Sequence, residues 1–188
     1  MDERPYTPAQ QKMMKVSKKK LTEKDLDYLR TVLLPRSPYL PKTEEECFAL
    51  AEEMLGKEHY EKMCELLFAI EERFCTKELV WTGGDKIAEL YCRVKRRGRT
   101  FCAFAITVNK YYLAVYFNAA ERDLFEKEKA SFPVKEIRWP YNICGIRANG
   151  VKRVLFDVMD EEIRPHIFPV LDLKVRAEPR QKGSAPKK

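Results

Sequence analysis

The chain of 188 residues and 22.2 kDa is 45% hydrophobic and 35% charged, proportions of an ordinary soluble globular protein. Its longest nearly apolar run, residues 101–108, falls well short of the roughly 18 residues of a membrane span, and residues 1–20 hold six basic side chains and no apolar stretch, so neither a spanning helix nor a secretory leader is expected. Of the net charge of +7, four units belong to residues 1–20 and three to residues 177–188, which leaves residues 21–176 neutral and makes the pI near 9.0 poor evidence for nucleic-acid binding.

Residues 1–20 and 177–188 read as basic disordered tails. A helix is expected from Thr22, with Leu26, Leu29 and Leu33 on one face and Pro35 at its end. Residues 36–42, with Pro38 and Pro41, read as an extended linker. Thr43-Glu44-Glu45-Glu46 is a capping box, in which hydroxyl and carboxylate each accept from the other residue's amide. Cys47, Leu50, Ala51, Met54 and Leu55 then form a buried stripe that Gly56 stops. A third helix over residues 57–74 sets Tyr60, Met63, Cys64, Leu67, Ile70 and Phe74 at helical spacing, with an acidic outer face.

From Glu78 the period changes from 3.6 to 2. Residues 79–81 run into the turn Thr82-Gly83-Gly84-Asp85, and residues 87–94, 100–108 and 111–117 follow as strands. Asn118-Ala119-Ala120-Glu121 is a second capping box, opening a helix to about Ala130. Residues 134–149 show no clear period. Residues 151–158 read as a further strand, and Asp160 is expected to cap a helix that Pro165 and Pro169 shorten or bend. The sum is one α+β domain over residues 43–176: N-terminal helices on a mainly antiparallel sheet of four to five strands, with one inserted and one C-terminal helix. The six cysteines (47, 64, 75, 92, 102, 144) include no C-x-x-C pair, so buried reduced thiols are expected rather than a disulfide framework or a metal site.

Turn chemistry suggests a strand register. A three-residue loop Arg96-Arg97-Gly98 pairs Lys95 with Arg99, and a two-residue turn Asn109-Lys110 pairs Val108 with Tyr111. One face then collects Ala88, Leu90, Cys92, Val94, Cys102, Phe104, Ile106, Leu113, Val115 and Phe117 as the core. The opposite face sets Glu89 beside Ala105 and Ala114, with Tyr91, Ala103 and Tyr116 in the next row. Ile87, Thr107 and Tyr112 lie to one side, and Arg93 and Phe101 beyond. A floor of alanines walled by tyrosines, with one carboxylate, describes a concave binding surface in which Glu89 fixes a cationic or hydrogen-bonding ligand. The alternative is that a helix or a second copy of the chain packs on the alanines.

Other motifs carry less. Thr82–Lys86 lacks the full phosphate-loop pattern and reads as a turn. Lys95-Arg96-Arg97-Gly98-Arg99 could grip phosphates or form a solvated edge. Trp139 and Tyr141, near Arg138 and Arg147, offer either a stacking platform or an anchor on the core. His59 and His166 lack partner motifs, and Glu89 beside Tyr91 and Tyr116 is the sole acid–base candidate.

Leu79-Val80-Trp81-Thr82-Gly83, the stretch from Tyr91 to Phe101, and residues 112–118 leading into a helix resemble an uncharacterised bacterial family, the domain of unknown function numbered 3788. Residues 151–158, Met159-Asp160-Glu161-Glu162 and the closing Leu171-Asp172-Leu173-Lys174 fit its ending, so the resemblance spans about residues 43–176. It implies a small cytoplasmic α+β protein. The chain departs from the pattern at Glu89-Leu90, where the family carries Gly-Trp, and at Ala105-Ile106, where it carries Tyr-Pro.

The expectation is a cytoplasmic, non-enzymatic small-molecule-binding or sensor-like domain with no cofactor or metal and no membrane partner, using Glu89, Tyr91, Arg93, Tyr112 and Tyr116. The alternatives are a nucleic-acid accessory protein using Arg96, Arg97, Arg99, Trp139 and the tails, weakly and without sequence preference, and a homodimeric interaction module.

Overall fold

A computed structural model describes residues 43–76, 78–85 and 87–178. The helix expected from Thr22, the linker at residues 36–42 and the greater part of both basic tails lie outside them.

Helix α1 (Glu44–Leu55) starts at the expected capping box: Glu46 N–H donates to Thr43 Oγ1 at 3.2 Å, and Thr43 N–H to Glu46 Oε2 at 3.3 Å. Gly56 ends α1 and opens α2 (Lys57–Phe74) at φ 73°, a conformation that suits a residue without Cβ. The two helices bury Cys47, Ala51 and Leu55, and Met63, Leu66, Leu67, Ile70 and Phe74.

Five antiparallel strands follow in a meander, β1 (Glu78–Gly83), β2 (Leu90–Arg96), β3 (Arg99–Thr107), β4 (Lys110–Phe117) and β5 (Lys152–Phe156), each beside its neighbour in sequence. The β2–β3 turn is one residue shorter than expected. Arg97 (φ 50°) and Gly98 (φ 72°) form a two-residue loop, and Arg96 pairs with Arg99. Positive φ at both central residues matches the right-handed twist of a hairpin, which outweighs the cost of one non-glycine residue there. An extra residue in β3 then intervenes: Lys95 pairs with Thr100 but Val94 with Cys102, so Phe101 has no partner. This bulge turns Phe101 from the second face, where alternation had set it, into the core, 5.1 Å from the Phe74 ring. Between β3 and β4 the turn is Val108-Asn109, because Asn109 takes the left-handed φ of 60° that asparagine tolerates; Thr107 pairs with Lys110.

Both registers differ from the expected ones by two residues, and an even offset keeps each side chain on its face. Leu90, Cys92, Val94, Cys102, Phe104, Ile106, Leu113, Val115 and Phe117 therefore join the helices in the main core. Ala88 does not. It precedes β2 and packs on the opposite face.

Helix α3 (Ala119–Glu128) begins at the second capping box, with Asn118 Oδ1 accepting from Glu121 N–H at 3.0 Å. Residues 134–149, without clear period in the sequence, contain a π-helical turn (Val134–Arg138) running into the short helix α4 (Trp139–Ile143). Asp160 does not cap the last helix, α5 (Arg164–Arg176); it accepts from Glu162 N–H at 3.0 Å in the preceding turn. Pro165 sets the start, since only the first helical turn accommodates a residue with no amide to donate, and Pro169 sits within the helix.

Lys174 of α5 reaches through the core to the far end of β4. Its Nζ, 3% exposed as a residue, donates to Glu121 Oε1 at 3.0 Å and to the Tyr116 carbonyl. Burial pulls the lysine pKa down, and the Glu121 carboxylate opposes that shift. Glu121 also accepts from Asn118 N–H at 2.7 Å, so the Lys174–Glu121 pair joins α5, β4 and the start of α3. Lys174→Met, which leaves that carboxylate buried without its cation, is expected to cost about 3–5 kcal/mol in urea unfolding. Adding Glu121→Gln should recover part of the loss; fully additive losses would contradict this account.

Candidate functional site

The face turned away from the helices is built on short side chains. Ala103, Ala105 and Ala114 are fully buried there, together with Ala88 and Tyr91, and Tyr112, Tyr116 and Leu155 pack around them. Tyr91, 1% exposed, occupies the space above the alanines. Its hydroxyl donates to Asp85 Oδ1 at 2.8 Å and accepts from an Arg153 guanidinium N–H at 3.0 Å, so a residue of β2 meets one of β5. Arg153 also pairs with Asp85 Oδ2 at 2.7 Å. Among the described residues, Tyr91, Tyr112, Tyr116 and Leu155 are what packs on the alanine floor.

The loop between β1 and β2 supplies Asp85. Its amide donates to the Ala88 carbonyl at 2.8 Å, and its carboxylate accepts from Ile87 N–H at 2.8 Å. Gly84 makes this fold-back possible: a Cβ there would lie 2.0 Å from the Ala88 oxygen. Burial pushes the Asp85 carboxyl up, but the hydrogen bonds from Arg153, Ile87 N–H and Tyr91 outweigh it and bring the pKa to about 2.

Beside this triad lies Arg93. Its Nε donates to Thr82 Oγ1 at 3.2 Å and a terminal nitrogen to the Tyr116 hydroxyl at 3.4 Å. The guanidinium carbon sits 5.5 Å from the Tyr91 ring centre and 5.9 Å from that of Tyr116. Among the described residues no carboxylate forms an ion pair with it.

Tyr91, Arg93 and Tyr116 therefore come together as the alternation implied. Tyr112 stands across Ala105 from Tyr91, with Lys110 Nζ 4.8 Å from its ring. Glu89 does not lie beside Ala105 and Ala114. The two-residue offset carries it past the end of β2, where its amide donates to the Ile106 carbonyl at 3.0 Å and its exposed side chain meets Thr107. Partial desolvation raises its carboxyl pKa, opposed by hydrogen bonds from its own amide and Thr107. Asp85 and Thr82 were read only as turn residues, and Arg153 was not among the site residues expected from the sequence. Arg153 was accessible to that reading, since alternation along residues 151–158 puts Arg153 and Leu155 opposite the buried Val154 and Phe156.

The basic hairpin is less available than its composition suggests. Arg96 and Arg97 both pair with Glu178, and Arg96 Nε donates to the Phe74 carbonyl at 3.0 Å; Arg99 is exposed. Trp139 and Tyr141 form no joint platform. Trp139 is exposed, whereas Tyr141 is buried, its ring centre 3.9 Å from that of Phe125. His59 and His166 are half-buried on separate helices. His166 lines a groove of about 620 Å³ with Phe132, Pro133, Pro169 and Glu128, whose carboxylate is held by Arg176 through two bonds of 2.6 Å. Among the described residues no three His, Cys, Asp or Glu side chains converge as a metal-ligand set. None of the six cysteines forms a disulfide; Cys47, Cys92 and Cys102 are buried, and Cys75 is exposed. No helix of the described residues is long and apolar enough to cross a membrane.

No protein-family model, curated protein or solved structure matches the chain.

The depressed Asp85 pKa carries a pH signature. An unfolded aspartate titrates near pH 3.9, so the stabilisation from the triad is present above about pH 4 and is lost as pH falls through about 2. Thermal melts of the wild type and Asp85→Asn should differ most at neutral pH and converge near pH 2. A difference independent of pH would show that the carboxylate charge is not what holds the loop.

Proposed function

We propose that the chain is a non-enzymatic, cytoplasmic binding or sensor-like domain that receives a small anionic molecule at Arg93 on the second sheet face. The observation that carries this reading is a guanidinium, half-buried between two tyrosine rings, whose partners among the described residues are hydroxyls and not a carboxylate. A guanidinium offers five donors in a planar fork suited to carboxylate or phosphate, and two of its nitrogens are engaged here. A small anion would supply the missing charge, and the Tyr116 hydroxyl, which accepts from Arg93, keeps its own proton to donate.

This places the ligand's anchoring charge on Arg93 rather than on Glu89, which stands at the edge of the face. Tyr112 bounds the face on the other side, and Tyr91 and Arg153 hold the floor rigid. The shared pairing of Arg96 and Arg97 with Glu178 favours this reading over nucleic-acid binding, and the packing of Tyr91 on the alanines favours it over a dimer formed through that face. Thiols without disulfides agree with a reducing compartment, which the resemblance to the bacterial family numbered 3788 also implies.

Thermal-shift titrations with inorganic phosphate, citrate and benzoate at fixed ionic strength test it. At least one is expected to raise Tm saturably, with about tenfold weaker binding in Arg93→Ala and an intermediate value in Arg93→Lys. Equal stabilisation of the wild type and Arg93→Ala, or none by any of the three anions, would contradict the proposal.

A further inference from the structure

The segment between α3 and β5 exposes apolar side chains that the sheet-face reading does not use. Val134, Trp139, Ile143 and Ile146 are 63%, 60%, 61% and 59% exposed. The first three stand in line. Trp139 N–H donates to the Val134 carbonyl, closing the π-helical turn that stacks residue 139 over residue 134, and Ile143 follows Trp139 by four residues on α4. The same segment carries Lys135, Arg138 and Arg147 against one acid, Glu136; of these bases Lys135 and Arg147 are exposed, and Arg138 is half-buried with its Nε out of solvent. Lys135 has an exposed partner at 3.8 Å in Glu162.

We infer that this segment is a contact site for an anionic lipid surface, with Trp139 and Ile143 entering the interface and Lys135 and Arg147 meeting the headgroups. Three observations select that occupant. Side chains this exposed protrude, so a rigid partner would need a matching hollow, whereas a lipid interface deforms around them. Isoleucine and valine offer no π-face on which a nucleic-acid base could stack, but both are suited to the acyl boundary. Tryptophan, being apolar with one N–H, is favoured at the headgroup level, and a basic rim adds attraction to anionic lipids. The expectation of no membrane partner came from the lack of a long apolar run, which concerns spanning and not surface attachment.

The two tryptophans make the test direct, because Trp81 is buried against Phe48 and an emission shift reports Trp139. The full chain is mixed with phosphatidylcholine vesicles, either pure or containing about a third phosphatidylserine, and followed by co-sedimentation and tryptophan emission. The expected result is co-sedimentation with the anionic vesicles and a blue shift. Trp139→Ala and Ile143→Ser should each weaken binding about tenfold, as should Lys135→Glu combined with Arg147→Glu. These positions are exposed, and unchanged melting temperatures verify that the variants fold. Binding undiminished in Trp139→Ala, with no emission shift in the wild type, would assign attachment to the basic termini and overturn the inference. So would a blue shift that appears on raising protein concentration without vesicles, which marks a second copy, or quenching by oligothymidylate without vesicle binding.

Discussion

A buried phenol must have a partner for its hydroxyl, and on the second sheet face that requirement is met at one point by Asp85 and Arg153 together. Tyr91 covers three alanines whose small size gives it room, and its hydroxyl would be stranded there without the loop carboxylate and the arginine from β5. The pairing therefore binds a loop to a sheet and β2 to β5. It also ties down, through two hydrogen bonds on its hydroxyl, one of the two rings beside which Arg93 lies. A side chain held in this way loses little conformational freedom when a ligand arrives, which favours binding.

The two faces of the sheet solve burial differently. On one, the helices cover leucine, valine, phenylalanine and cysteine from every strand, and Lys174 crosses that core to reach Glu121 and the Tyr116 carbonyl. On the other, long side chains of the sheet itself lie over alanine. Tyr116 is common to both arrangements, since its carbonyl accepts from Lys174 and its hydroxyl from Arg93. The anchor of the C-terminal helix and the candidate site thus share one residue of β4.

How much was legible in the sequence follows from the range of the interactions involved. Thr43 with Glu46 and Asn118 with Glu121 act over three residues, and both boxes stand where they were expected. The boundaries of α2 and the core stripes of β2, β3 and β4 followed from periodicity, apart from Ala88 and Phe101. Register did not, because it depends on which central turn residue tolerates a left-handed backbone and on a bulge at Phe101 that relieves the shift. Face membership survived that error except at Ala88 and Phe101, so Tyr91, Arg93 and Tyr116 were grouped correctly, while Glu89, placed by row rather than by face, was not. Asp85 escaped notice because its role comes from a fold-back in the loop and an arginine 68 residues away.

The most direct test of the account is nuclear magnetic resonance of the arginine Nε–H groups during titration of the full chain with inorganic phosphate. Arg93 is expected to shift saturably while Arg153, held by Asp85, stays in place. Absence of any Arg93 response, or a linear drift shared with the exposed Arg99, would contradict the claim that the second sheet face holds a cation free to take an anion.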